Sequence, residues 1–223
     1  MINLFIDTSS SDVSIAVAKD EIILSSITKE VPNEHSVYTT SFLDDVIKKA
    51  KIKPTDIERI MVVVGPGSFT GVRIGVTIAK VYAYLLNLGV ICVSSLKMRS
   101  ISIAHNYCLS LIDARHNNFY AGLYDNENNE VIKEGFFNID EIMKFIEEYN
   151  PTIVSDKDLE IEDIKVQKGK IDFSKIISYY ENATSVNCHL VKPNYLKKPQ
   201  VLEELGWLEI LSLLKEKILL LKE

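Results

Sequence analysis

The stretch from residue 65 to residue 75 reads Gly-Pro-Gly-Ser-Phe-Thr-Gly-Val-Arg-Ile-Gly and has the residue types of an anion-binding turn. It follows an apolar run at residues 61–64, so a buried strand leads through a glycine-rich turn into a helix. Glycines let backbone N–H groups approach an anion that faces the positive end of such a helix. The spacing matches neither G-x-x-x-x-G-K-S/T nor G-x-G-x-x-G, because no lysine follows the last glycine and Thr70 replaces the third glycine. Taken alone, the stretch is therefore weak evidence for a nucleotide-binding site.

A second candidate for anion chemistry is the turn after the first predicted strand, which begins with Asp7 and Thr8. In sugar kinases, actin and heat-shock ATPases, a strand–Asp–turn of this kind faces the phosphates of ATP and its metal. The alternative is that the two residues only cap and close the turn. The matching strand of the second half continues as Asp113-Ala114-Arg115 instead of Asp-x-Gly-Gly, and one phosphate loop alone clamps a triphosphate poorly. The candidate vestigial nucleotide or anion site comprises Asp7, Thr8, Gly67, Ser68, Thr70 and Arg73.

The elements that would position these residues follow from hydrophobic periodicity. The first half has the order β-β-β-α-β-α, followed by one more strand and by a helix that begins near Ser95. The strands are predicted at residues 2–6, 13–17, 21–27, 59–64 and 90–93, and the helices at residues 35–51 and from residue 70 or 71 to about residue 88.

A second series of three strands and a helix follows in the second half of the chain. The strands are predicted at residues 108–112, 118–124, 131–137 and 152–155, and the helices at residues 139–149 and 172–181. Repetition of the element order without repetition of the sequence is typical of a duplicated α/β protein with two lobes. We predict an N-terminal βββαβα lobe at residues 1–104 and a smaller, degenerate second lobe at residues 105–200.

Residues 201–223 are predicted to form an amphipathic helical tail. Their apolar residues recur at helical spacing, at Leu205, Leu208, Leu211, Leu214, Ile218 and Leu221. Such a helix either docks on its own domain or pairs with a partner chain. Lysines interspersed with glutamates disfavour binding to a membrane surface.

Composition narrows the class of protein. The 223 residues are 47% hydrophobic and 25% charged, as in a globular domain, and no apolar run reaches the ~20 residues of a membrane helix. A net charge of −6 disfavours a protein that grips nucleic acid across its whole surface. Three widely spaced cysteines without CxxC indicate neither a disulfide framework nor a zinc site. We expect a cytoplasmic protein that binds no membrane.

The glycine stretch resembles the signature of the TsaB family, bacterial proteins of threonylcarbamoyladenosine synthesis on tRNA. The similarity extends in order over residues 1–200, and the tail at residues 201–223 is not covered. The other matching pieces are Ile6-Asp7-Thr8-Ser9, Glu34-His35, Val93-Ser94-Ser95-Leu96, Ile112-Asp113-Ala114-Arg115 with Tyr120, and Pro193-Asn194-Tyr195-Leu196. The resemblance implies an actin-like ATPase, ribonuclease H-like fold with a reduced second lobe.

The resemblance also implies a catalytic paralogue, TsaD, which holds a metal with a His-x-x-x-His helix. Aligned on the strand at residues 89–93, the two histidine positions fall at Ser95 and Arg99. Serine is a poor ligand for such a metal, and arginine is a permanent cation that cannot bind it. The four histidines of the chain form no HxxxH pair either. We therefore expect no metal, no cofactor and no catalytic residue.

Small residues recur every four positions along the helix after the glycine turn. The resulting ridge could let another helix approach closely, and the preceding helix adds larger apolar side chains. We predict that the two helices bind a partner, and the alternative is that the ridge packs on the sheet of its own chain. The predicted partner-binding residues are Tyr38, Phe42, Gly71, Gly75, Ala79 and Ala83.

By resemblance, the partner is TsaD, and the pair would form a four-helix bundle. The first hypothesis is a non-catalytic subunit that dimerises with TsaD, helps recruit the ATPase TsaE, and contacts tRNA only indirectly through the complex. The second hypothesis is an enzyme in its own right, an ATPase or a metallopeptidase-like protein. A homodimer through the same two helices is expected when the protein is isolated.

Overall fold

The computed structural model describes residues 1–31 and 34–196. The predicted tail at residues 201–223 lies outside this range. The observed order begins β-β-β-α-β-α, as predicted from the sequence, and most element boundaries lie within three residues of the predicted ones.

The first sheet has five strands in the spatial order β3-β2-β1-β4-β5. Strand β1 pairs with β2 in antiparallel orientation and with β4 in parallel orientation. It therefore lies at the centre of the sheet, and all its residues after the first are buried. The strands are β1 (Ile2–Asp7), β2 (Asp12–Lys19), β3 (Ile22–Glu30), β4 (Arg59–Gly65) and β5 (Val90–Ser94).

Two helices cover one face of this sheet. Helix α1 spans His35–Lys49 and helix α2 spans Phe69–Leu86. Both contribute to a core with the side chains of Leu4, Ile6 and Ile15. On the opposite face, α3 (Ser95–Ile101) contributes Met98 and Ile101 to a second core, and the side chain of Ser94 caps this helix by accepting the N–H groups of Leu96 and Lys97.

The second sheet repeats the order of the first. Its strands run β8-β7-β6-β9 in space, so the first three strands and the returning parallel strand occupy the positions of β3-β2-β1-β4. The strands are β6 (Tyr107–Asp113), β7 (Asn118–Asp125), β8 (Glu130–Asn138) and β9 (Thr152–Ser155). Helix α4 (Ile139–Tyr149) begins at a capping box formed by Asn138 and Glu141. The repeated element order thus corresponds to a repeated sheet topology.

Two features of the second half differ from the prediction. A small hairpin of β10 (Leu159–Ile161) and β11 (Ile164–Val166) follows β9, and its three-residue strands are too short to give a periodic signal. The later residues return to the first sheet: α5 (Phe173–Tyr179) packs Ile176 and Ile177 against the β-sheet core, and Cys188 and Val191 join the α1–α2 core. The prediction assigned all of residues 105–200 to the second lobe, but the C-terminal part of this range packs on the first sheet.

Candidate functional site

The glycine turn between β4 and α2 is closed by the chain itself. The N–H of Ser68 donates to the carbonyl of Ser9 at 2.7 Å, and the Ser68 hydroxyl caps α2 by accepting the N–H of Gly71 at 3.1 Å. Gly67 has a φ of +154°, and a β-carbon there would overlap the Ser9 carbonyl. The side chain of Ser95 donates to the carbonyl of Pro66 from the other side. Two backbone N–H groups that would face an anion in a phosphate loop, those of Ser68 and Gly71, are thus already bonded within the protein.

Thr8 fastens the start of α2 to the end of β1. Its buried hydroxyl donates to the carbonyl of Gly71 at 2.7 Å and accepts the N–H of Gly75 at 3.1 Å. These two backbone groups lie four residues apart and would pair with each other in a regular helix. The hydroxyl therefore bridges one step of the helical hydrogen-bond ladder, which fixes the position of α2 on the sheet.

The ridge of small residues on α2 faces the sheet. Gly71, Gly75, Ala79 and Ala83 are all buried. A β-carbon at Gly71 would overlap the Thr8 carbonyl, and one at Gly75 would overlap the Thr8 hydroxyl. The prediction that this ridge meets a partner is wrong, because the close approach that demands glycine is to strand β1 of the same chain.

Asp7 is buried next to this fastening. Burial raises the pKa of its carboxyl group above the usual range, against the opposing effects of the Arg99 charge and of a hydrogen bond from the Ser9 N–H at 2.8 Å. Its Oδ2 atom has no hydrogen-bond partner among the described residues. Ionisation of a carboxyl group in this position is unfavourable, and the group is shielded from a ligand in solvent.

Arg73 lies on the exposed side of α2, away from Asp7. Its guanidinium carbon lies 3.6 Å from the centre of the Phe69 ring, and its Nε donates to the Tyr195 hydroxyl at 2.8 Å. Thr70 is exposed beside it. The structure therefore places Asp7 and Thr8 in the interior, Gly67 and Ser68 at one cavity, and Thr70 and Arg73 at another, so the six residues do not line one shared pocket.

The surface that α1 and α2 leave open is an apolar groove between them, of about 400 Å³. We call it, with the exposed side chains of α2 beyond it, the α1–α2 face. The groove is lined by Ser36, Thr40, Phe69, Thr70, Arg73, Ile74, Thr77 and Ile78. Further along α2, Val81, Tyr84 and Leu85 are exposed to 51%, 66% and 73%. Contiguous exposed apolar side chains of this kind mark interaction surfaces.

The predicted partner-binding residues lie on the two helices of this face, but most of them are not at its surface. Of the six predicted partner-binding residues, Tyr38 is exposed, whereas Phe42 is buried under it at a ring distance of 5.6 Å. The missed residues recur on α2 at positions 74, 77, 81 and 85, which is also a helical spacing. A helix that is apolar on both sides gives no signal for which side faces the sheet.

The length and composition of α2 would also suit a membrane span, and one third of the helix is buried within the fold. Because its inner side packs on the sheet and its first turns are bonded to β1, we interpret it as a helix of the folded core. Within residues 1–31 and 34–196, no three His, Cys, Asp or Glu side chains are grouped to hold a metal ion.

Comparison with known proteins places this geometry in one family. A family model described as "TsaD: tRNA N6-adenosine threonylcarbamoyltransferase" matches residues 23–204. The protein named tRNA threonylcarbamoyladenosine biosynthesis protein TsaB from Bacillus subtilis is 34% identical over 127 residues, 56% of each chain. The protein of the same name from Escherichia coli is 31% identical over 132 residues, 57% of each chain. The chain thus matches little more than half the length of these relatives.

Solved structures support the fold. The structure titled "YeaZ from Pseudomonas aeruginosa" superposes with a TM-score of 0.74 at 19% identity, covering 87% of this chain and 99% of that one. At this identity the likeness establishes the shared fold, and the mixed sheets with their helices confirm the predicted α/β class.

The contact between Thr8 and the α2 ridge predicts the outcome of a substitution at Gly75. Gly75→Ala should destabilise the protein by about 1–3 kcal/mol from overpacking, partly offset by ~1 kcal/mol of helix propensity. In the Thr8→Ala background the overlapping hydroxyl is gone, so Gly75→Ala should cost little further stability. Urea unfolding measures the free energy of unfolding of the single and double variants, with Thr77→Ala on the exposed side of α2 as the control. Equal stabilities of Gly75→Ala and Thr77→Ala would contradict this packing.

The raised pKa of Asp7 predicts how the stability of the variant Asp7→Asn, relative to wild type, changes with pH. The unfolded carboxyl ionises near pH 4, whereas folded Asp7 retains its proton to higher pH, so this group costs stability as the pH rises from 4 through the folded pKa. The melting temperature of Asp7→Asn relative to wild type should therefore increase between pH 4 and pH 8.

Asp113 is the matched control, because its pKa is lowered. Partial burial raises it, but the Lys157 ammonium at 2.8 Å and the Arg115 N–H outweigh that effect. Asp113→Asn should be less stable than wild type at pH 7, and the difference should shrink as the pH falls below 4. Thermal unfolding followed by circular dichroism distinguishes the two trends, and parallel curves for Asp7→Asn and wild type would refute the first.

Proposed function

We propose that this chain, which belongs to the family described as TsaD: tRNA N6-adenosine threonylcarbamoyltransferase and has relatives named TsaB, acts in threonylcarbamoyladenosine synthesis on tRNA. We propose further that it is a non-catalytic subunit that binds TsaD through the α1–α2 face. The observation that carries this proposal is the row of exposed apolar side chains on a helix whose other side is fixed to the sheet.

The energetics of the α1–α2 face favour a protein partner. Burial of one large apolar side chain contributes about 1.5–3 kcal/mol, so Val81, Tyr84 and Leu85 together could supply much of the affinity of a helical interface. A partner that offers a similar pair of helices would complete a four-helix bundle. A second copy of this chain could use the same face, so a homodimer is the expected state without TsaD.

The closed glycine turn favours a role that does not involve phosphoryl transfer by this chain. Thr8 and Ser68 use their hydroxyls on the backbone of α2, and Asp7 is buried. In the assembly we propose, TsaD carries out transfer of the threonylcarbamoyl group, TsaE supplies ATPase activity, and this subunit holds TsaD in its active form. Contact with tRNA would be made by the complex, in the cytoplasm.

The direct test is a reconstitution with TsaD and TsaE from the same organism. We expect modification of tRNA to require this chain, with at least a tenfold loss of product when it is omitted. Equal modification with and without it would refute the proposal. Calorimetry with ATP and Mg²⁺, together with metal analysis of the isolated chain, tests the alternative of an independent ATPase or metalloenzyme, which tight stoichiometric binding would support.

Substitutions on the α1–α2 face should separate partner binding from folding. Leu85→Glu places a charge at a side chain that is 73% exposed, so the isolated protein should keep its melting temperature. Desolvation of that charge in an interface should weaken TsaD binding at least tenfold and reduce tRNA modification in parallel.

Ile22→Glu is the matched control, because Ile22 is 70% exposed but lies on β3, beside α5 and away from α2. Size-exclusion chromatography with light scattering, with and without TsaD, measures the assembly. If Leu85→Glu binds TsaD as tightly as Ile22→Glu does, the partner does not use this face.

A further inference from the structure

A cavity of about 580 Å³ opens on the side of the first sheet opposite the α1–α2 face. It lies between the β1–β2 turn, the end of β3, helix α3 and the segment that leads from β11 to α5. Its lining residues are Ser10, Asp12, Thr28, Glu30, Arg99, Lys168, Gly169, Lys170 and Ile171. This volume is typical of sites for small ligands. The functional proposal above makes no use of it.

Arg99 is the unusual member of this lining. The residue is only 2% exposed, and its buried Nε has no hydrogen-bond partner in the part of the chain that the structure describes. Among residues 1–31 and 34–196, its guanidinium forms no ion pair within 4 Å, although it carries a permanent charge. A buried cation without an ion-pair partner is unfavourable, so this arrangement calls for an anionic acceptor in the adjoining cavity.

The nearby carboxylates do not supply that acceptor. Asp7 influences Arg99 electrostatically, but the two form no ion pair within 4 Å, and Asp7 accepts the Ser9 N–H instead. Asp12 pairs with Lys168 at 2.5 Å, which neutralises both. Glu30 lies at the exposed rim of the cavity.

The remaining positive charges are the buried guanidinium of Arg99 and the exposed ammonium of Lys170. We propose that this cavity binds the phosphate group of a small phosphorylated molecule. The guanidinium would hold two phosphate oxygens at the floor of the site, which is the geometry that suits arginine. Lys170 would approach a third oxygen from the rim, and the Ser10 hydroxyl could donate to the ligand while it accepts the Asp12 N–H. The lining has three cations, Arg99, Lys168 and Lys170, and two carboxylates, Asp12 and Glu30, so its net positive charge favours an anionic phosphate.

The test uses the isolated full chain with pyrophosphate as the probe. Calorimetry and thermal unfolding are run at matched ionic strength against sodium chloride, with citrate as a carboxylate probe of similar charge. We expect saturable binding of pyrophosphate and a rise in melting temperature, with citrate at least tenfold weaker. The absence of saturable pyrophosphate binding, or equal binding of citrate, would overturn the proposal.

Three variants localise the effect. Lys170→Gln should weaken pyrophosphate binding at least threefold, whereas Lys165→Gln, an identical change on β11 outside the cavity, should not alter it. Arg99→Met should abolish binding and should be as stable as wild type or more stable in anion-free buffer, because it removes an unpaired buried charge. If Arg99→Met is less stable than wild type in anion-free buffer, the guanidinium already has its bonding partners within the protein, which contradicts the proposal. Equal effects of Lys170→Gln and Lys165→Gln would exclude the site.

Discussion

The Thr8 hydroxyl is the contact on which the arrangement of the first sheet and its helices depends. It joins the end of the central strand to two backbone groups in the first turns of α2, at 2.7 and 3.1 Å. The contact requires that α2 approach β1 without intervening side chains, and Gly71 and Gly75 permit this approach. Because a strand and a helix far apart in sequence meet at one buried hydroxyl, neither can shift without breaking the other's hydrogen bonds.

This use of glycine explains why the stretch at residues 65–75 has the composition of a phosphate loop without its geometry. In both cases, glycines allow a backbone to come close to another group. Here that group is the carbonyl of Ser9 or Thr8 instead of a phosphate oxygen. The same residues that could bind an anion therefore stabilise the contact between two elements, and Ser68 completes the closure as the helix cap.

The sequence predicted the elements well because their signals are local. Hydrophobic periodicity placed β1 through α4 in order, and Asn138 with Glu141 marked the start of α4. Sidedness was harder, because α2 is apolar on both faces and only tertiary packing decides that Gly75 points inward and Leu85 outward. The return of Cys188 and Val191 to the first core depends on long-range contacts that leave no periodic pattern. For the same reason, no local signal marked Arg99 as a buried cation beside a cavity.

A helix fixed on one side and open on the other is well suited to form an interface. The hydroxyl bridge of Thr8 and the Ser68 cap hold the first turns of α2. The left-handed Asn87 ends the helix with hydrogen bonds to the carbonyls of Ala83 and Tyr84. The exposed side chains between these ends are thus presented on a backbone that is already ordered, so a partner gains their burial at little further cost in conformational entropy. The glycines that seat α2 on the sheet would contribute to affinity in this way although they touch no partner.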